Sequence, residues 1–124
     1  MRPPKIAVVD DDDLIRAAVC DLVRETCPSA QVVEYRSATH ALHEIGTGTV
    51  DLLVTNFHMP DMDGAALVRK VREQKHALPI IMISASEGAQ ELGEAAGIDR
   101  FVPKHLLHPG LAEAIGALLS PSPG

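Results

Sequence analysis

Apolar residues in this chain fall into short unbroken runs that alternate with segments of helical period. Ile6-Ala7-Val8-Val9, Leu52-Leu53-Val54 and Ile80-Ile81-Met82-Ile83 are continuous runs, as expected of strands buried on both faces of a parallel sheet. With their flanks, the expected strands are 5–9, 32–35, 51–56, 80–84 and 101–102. Between them, Ala38, Ala41, Leu42 and Ile45 follow an i, i+3, i+4, i+7 spacing, with Ser37 as N-cap and Gly46 as stop. Leu111, Ala114, Ile115, Leu118 and Leu119 repeat that spacing after Pro109, which suits a first helical turn. A first helix is expected from the cap Asp13, burying Ile15, Ala18, Val19 and Leu22. A third follows the cap Asp63 and buries Leu67 and Val71. The fourth, 87–96, contains Gly88 and Gly93. Each costs about 1 kcal/mol against Ala in a helix interior, so this helix should be short or mobile.

Strand–helix alternation of this kind predicts five parallel strands with five helices covering both faces. In such sheets the reactive crevice lies beyond the C-terminal ends of the strands. Those ends are unusually polar here. The first strand leads into Asp10, Asp11, Asp12 and Asp13, the third ends in Asn56, the fourth ends in Ser84, and the fifth leads through Pro103 to Lys104.

A length of 124 residues fits one domain. We place the domain at 1–119 and a flexible tail or linker start at 120–124, where Ser and Pro alternate. The net charge of -6 argues against a nucleic-acid surface, which needs a basic stripe. No apolar run approaches the roughly 18 residues of a membrane span, and the N-terminus lacks a signal-peptide core, so the expected location is cytoplasmic. Cys20 and Cys27 stand two turns apart on one expected helix, too far for a disulfide. The histidine pairs His40/His43 and His105/His108, with His58 and His76 alone, do not make a transition-metal ligand cluster.

The set Val8-Val9-Asp10-Asp11, Asp51-Leu52-Leu53-Val54-Thr55-Asn56, Met59-Pro60-Asp61-Met62-Asp63-Gly64, Pro79-Ile80-Ile81-Met82-Ile83-Ser84-Ala85, Ala96-Gly97 and Val102-Pro103-Lys104 resembles the receiver domain of two-component response regulators, including the chemotaxis-regulator type. The resemblance implies a flavodoxin-like (βα)5 fold with strand order 2-1-3-4-5. It also implies a Mg²⁺ site in which Asp11 is a direct ligand, Asp10 acts through water, and the main-chain carbonyl of His58 is the third protein ligand. Hard oxygens of this kind suit Mg²⁺. Ser84 matches the hydroxyl that follows a phosphoryl group, and Lys104 the cation that pairs with it. Phe101 matches a rotating switch aromatic, although a core role fits it equally.

Asn56 departs from the pattern. The family carries an aspartate there, which attacks a phosphohistidine. An amide is a weak nucleophile and cannot form the acyl phosphate by that route. Asp10, Asp11 and Lys104 sum to one negative charge with Asn56, against two with an aspartate. Mg²⁺ binding should therefore be weak and the domain stable without metal. A further departure is Pro103, which belongs on an edge strand because it cannot donate to a ladder.

The resulting expectation is a non-enzymatic receiver module that docks proteins and does not accept phosphate on Asn56. An alternative is a phospho-dead variant of an ordinary receiver. An aspartate-nucleophile phosphohydrolase fits Asp10-Asp11-Asp12 only loosely, without a cap domain. Expected partners are a sensor histidine kinase, a phosphotransfer protein or a downstream effector, with homodimerisation through helix four, strand five and helix five as one further assembly.

Overall fold

The computed structural model describes residues 2–74 and 77–119. His76 and the tail at 120–124 lie outside the described residues. The elements alternate throughout: β1 (Lys5–Val9), α1 (Asp13–Thr26), β2 (Gln31–Tyr35), α2 (Ala38–Thr47), β3 (Leu52–Asn56), α3 (Gly64–Gln74), β4 (Ile80–Ser84), α4 (Ala89–Ala96), β5 (Arg100–Pro103), a 3-10 turn (Lys104–Leu106) and α5 (Leu107–Leu119). All four strand pairings are parallel, in the order β2-β1-β3-β4-β5. This is the flavodoxin-like arrangement anticipated above. Pro103 sits on the edge strand β5, opposite Ser84 of β4.

Alternation along each strand divides the core in two. Ala7, Val9, Leu53, Ile80 and Met82 pack with α2, α3 and α4. Ile6, Val8, Leu52, Val54, Ile81 and Ile83 pack with α1 and α5. Every residue of β4 is buried, which accounts for its unbroken apolar run.

Several element ends differ from the sequence expectation. Asp51 precedes β3 instead of starting it; its amide donates to the Lys5 carbonyl and its carboxylate accepts from the Lys5 amide. Helix α1 is capped by Asp12, not Asp13. The Asp12 carboxylate accepts from the amides of Leu14 (2.9 Å) and Ile15 (3.0 Å), so Asp13 lies in the first turn, where a negative charge suits the helix dipole. The buried face of α1 is Val19, Cys20 and Val23; Ala18 faces solvent, while Ile15 and Leu22 are half-buried. Both cysteines are free. Helix α2 has the expected cap, with Ser37 Oγ accepting from the His40 amide, but it runs past Gly46 to a C-cap at Gly48. Helix α3 keeps the Asp63 cap on the Ala66 amide and buries Leu67 and Val71. In α5 the backbone of His108 is extended, so the regular helix starts at Pro109.

Helix α4 is short, at eight residues, and its internal glycine has a packing reason. A Cβ at Gly93 would lie 2.8 Å from the Met82 sulfur and 2.9 Å from Ile98 Cδ1. The lost helix propensity is the cost of laying α4 directly on β4. Gly88 and Gly97, both at positive φ, flank it. No helix among the described residues is long and apolar enough to cross a membrane.

Candidate functional site

The register of β1, β3 and β4 brings their polar ends together at one edge of the sheet. Val9 lies opposite Thr55, and Asn56 opposite Ile83. The residue after β1, Asp10, is therefore within reach of the last residue of β3. Asp10 is buried, and its amide donates to the Tyr35 carbonyl of β2 at 3.1 Å. Its Oδ1 accepts from the Asp12 amide at 2.9 Å. Burial pushes the Asp10 carboxyl above its ordinary range; the Asp12 amide opposes that, the Asp11 and Asp12 charges add to it, and the Lys104 charge opposes it. Asp11 is exposed beside it.

Asn56 is half-buried and donates in two directions. Its Nδ2 lies 2.8 Å from the His58 carbonyl and 3.4 Å from Asp10 Oδ1. With a carboxylate and a carbonyl as neighbours, only the NH2 end of the amide can face them; the reverse orientation would set oxygen against oxygen. The chain then turns tightly. The Gly64 amide donates to the Phe57 carbonyl at 2.6 Å, and a Cβ on Gly64 would come within 2.4 Å of the Asn56 carbonyl. The start of α3 is thus pressed against the end of β3, which is why the Asp-Gly pair stands there.

On the far side of the crevice, Ser84 is buried and its Oγ accepts from the Ser86 amide at 3.0 Å. Ser86 Oγ in turn meets the His58 ring at Nε2. A polar chain therefore runs from Asp10 through Asn56, His58 and Ser86 to Ser84, spanning the loops after β3 and β4. Lys104, half-buried after Pro103, acts on Asp10 through charge. It makes no ion pair within 4 Å among the described residues. Phe101 is partly buried and packs on the α2–α3–α4 side of the core.

Three contributors were not read from the sequence. Arg16 donates to the Asp10 carbonyl at 2.9 Å and pairs with Asp13 (2.8 Å) and Glu34 (3.1 Å). The opposite charges of Asp13 and Arg16, three apart on a helix, were the available signal. Asp61 accepts from Thr39 N, Thr39 Oγ1 and Ser37 Oγ, fastening the β3–α3 loop to the start of α2. Ser86 carried no signal beyond its nearness to Ser84.

The oxygens of Asp10, Asp11 and His58 are of the kind Mg²⁺ takes. Asp10 Oδ1 and the His58 carbonyl also accept from Asn56, so an ion drawing on those two oxygens would share them with that carboxamide. No group of three or more His, Cys, Asp or Glu side chains among the described residues is placed to hold a metal ion. The space beneath Asp10 and Asn56 is a void of about 10 Å³, no larger than one water needs. Larger clefts lie at the opposite end of the sheet, for example beside Ile45, Asp51 and Pro79.

Comparison with known proteins finds that residues 6–116 match the family model described as the response regulator receiver domain. The chemotaxis protein CheY of Pseudomonas aeruginosa is 34% identical over 115 residues, covering 90% of this chain and 92% of that protein. The two-component response regulator PhoP of the same organism is 31% identical over 122 residues, covering 97% of this chain and 53% of PhoP; the chain spans about half the length of that relative. The response regulator TrrA of Thermotoga maritima, solved in complex with Mg²⁺ and BeF, superimposes with a TM-score of 0.84 at 26% identity, covering 94% of this chain and 99% of that one.

Proposed function

Since this chain belongs to the response regulator receiver domain family of two-component signalling, we propose that it works as a protein-docking receiver unable to accept a phosphoryl group at residue 56. The observation that carries this reading is the identity and placement of Asn56. It stands at the end of β3, between buried Asp10 and the loop leading to α3, with Ser84 across the crevice. The motifs around it are those of a phosphoryl-accepting receiver, and the residue at the acceptor position is an amide that donates to the His58 carbonyl and to Asp10. An amide nitrogen shares its lone pair with the carbonyl, and its oxygen carries no full negative charge. Attack on a phosphohistidine therefore lacks a competent nucleophile.

Under this reading Ser84 and Lys104 keep the positions for following and balancing a phosphoryl group that does not arrive. Mg²⁺, if bound, would be held by Asp10, Asp11 and the His58 carbonyl, and weakly. The domain carries out no reaction of its own. Its partners are drawn from sensor kinases, phosphotransfer proteins and effectors, recognised by surface. The face of α4, β5 and α5 is the one we assign to them or to a second copy. It exposes Leu92 and Leu106. The location consistent with such partners is the cytoplasm, with 1–119 as the docking unit and 120–124 as tail or linker.

The test is intact-mass measurement after incubation with a small phosphodonor and Mg²⁺. The chain as it stands should gain no phosphoryl group, and Asn56→Asp should gain one that is lost in base or hydroxylamine. A labile phosphoryl adduct on the unmodified chain would overturn the reading.

A further inference from the structure

We propose that the Asn56 carboxamide is a built-in replacement for the divalent cation, competing with Mg²⁺ for the same oxygens. Two observations carry this. The amide donates to the His58 carbonyl and faces Asp10 Oδ1, which are two of the three protein groups that would surround an ion. Each is satisfied without one. Asp10 Oδ1 also takes the Asp12 amide, and no buried side-chain nitrogen or oxygen among the described residues is left without a partner. The buried oxygens of the site therefore have partners within the protein itself.

What a cation would do mechanically, the amide does. An ion between Asp10 and the His58 carbonyl would tie the end of β1 to the loop after β3. The carboxamide makes that tie with two N–H groups and no net charge. From His58 the connection continues through its ring to Ser86 Oγ and on to Ser84. The loops after β3 and β4 are thus joined by protein groups alone.

This deepens the expectation of weak Mg²⁺ binding, and the two can fail separately. If binding is weak only because a charge is missing, deleting the rest of the side chain can only weaken it further. If the amide competes with the ion, deleting it frees the oxygens and binding improves. The experiment is an Mg²⁺ titration of the chain as it stands, Asn56→Ala and Asn56→Asp, at constant ionic strength. It is followed by the backbone amide resonances of Asp11 and His58 and by melting temperature. We expect Asn56→Ala, although it removes a candidate oxygen ligand, to bind Mg²⁺ about fivefold tighter than the unmodified chain, the factor that matches one ordinary hydrogen bond. In EDTA it should melt lower and shift the His58 and Ser86 amide resonances. Equal or weaker Mg²⁺ binding by Asn56→Ala overturns the proposal. So does a rise of about 5 °C or more in the melting temperature of the unmodified chain when Mg²⁺ is added at low millimolar concentration. Should Asn56→Asp fold only with metal, the other two arms decide the outcome unaided.

Discussion

Gly64→Ala adds one methyl group at the most crowded backbone contact near the site, and its cost follows from what that methyl meets. The new Cβ would lie 2.4 Å from the Asn56 carbonyl oxygen, 3.0 Å from Phe57 Cα and 3.2 Å from Met82 Cε. The last can rotate away; the first two are backbone. They cannot move without lengthening the 2.6 Å bond from the Gly64 amide to the Phe57 carbonyl or shifting the end of β3. Overpacking of a core by one methyl costs about 1–3 kcal/mol, and collision with main chain belongs at the upper end. Against this, Ala gains up to about 1 kcal/mol in helix propensity, less at a first helical position. The net expectation is a loss of about 2 kcal/mol, or about 8 °C in melting temperature for a domain of this size. The control is Gly116→Ala in α5, where a Cβ meets nothing within 4 Å and the propensity gain stands alone. That variant should melt about 2–4 °C higher than the parent. Both are read by calorimetry or circular dichroism. Because the same chemical change is expected to act with opposite signs, a Gly64→Ala protein as stable as the parent would refute the steric account.

Removing the Asp61 carboxylate with Asp61→Ala should cost about 1 kcal/mol, discounted for its exposed position. Its Thr39 amide partner above all, then the Thr39 and Ser37 hydroxyls, hold that carboxyl well below the usual range. With a depressed folded-state value, the contribution is fully present above the unfolded value of about 3.9 and is lost as pH falls through the folded one. The stability gap between parent and variant should therefore be flat from about pH 5 upward and narrow only in strong acid. Asp10→Asn should melt a few degrees higher than the parent in EDTA at pH 7. Burial raises the Asp10 carboxyl, so the folded parent gains stability as pH falls, and its charge is a cost at neutral pH. A lower melting temperature for that variant would contradict this. Burial pushes the Cys20 thiol up to about 11, while Cys27 is half-buried at the end of α1. At pH 8 a thiol reagent should label one site quickly, and Cys27→Ser should abolish that fast phase.

The strands and the cluster of polar ends were legible in the sequence, because a sheet buried on both faces leaves long apolar runs that stop abruptly at its functional edge; the strand order came only from the resemblance to receiver domains. Helix ends were less so. Asp12 and Asp13 are both good caps, and only the turn after Asp10, which directs the Asp12 amide to Asp10 Oδ1, decides between them. Gly46 looked like a stop, but α2 continues one more residue because Gly48 serves as its cap. Gly93 looked like a defect until Met82 was found against it. Contacts such as Asn56 with the His58 carbonyl, or His58 with Ser86, depend on how two loops meet. No period or spacing in one chain encodes that.

The sheet separates two apolar compartments, one under α2, α3 and α4 and the other under α1 and α5, with few apolar side chains shared across it. Free energies of substitution should then combine differently according to side. Truncating Val19 and Ile115, both under α1 and α5, perturbs one packed body, and the two losses should be non-additive. Truncating Val19 and Val71, on opposite sides, should give losses that simply sum. For diversification, this means the two helical layers can drift almost as separate modules, provided the strands between them keep their alternation.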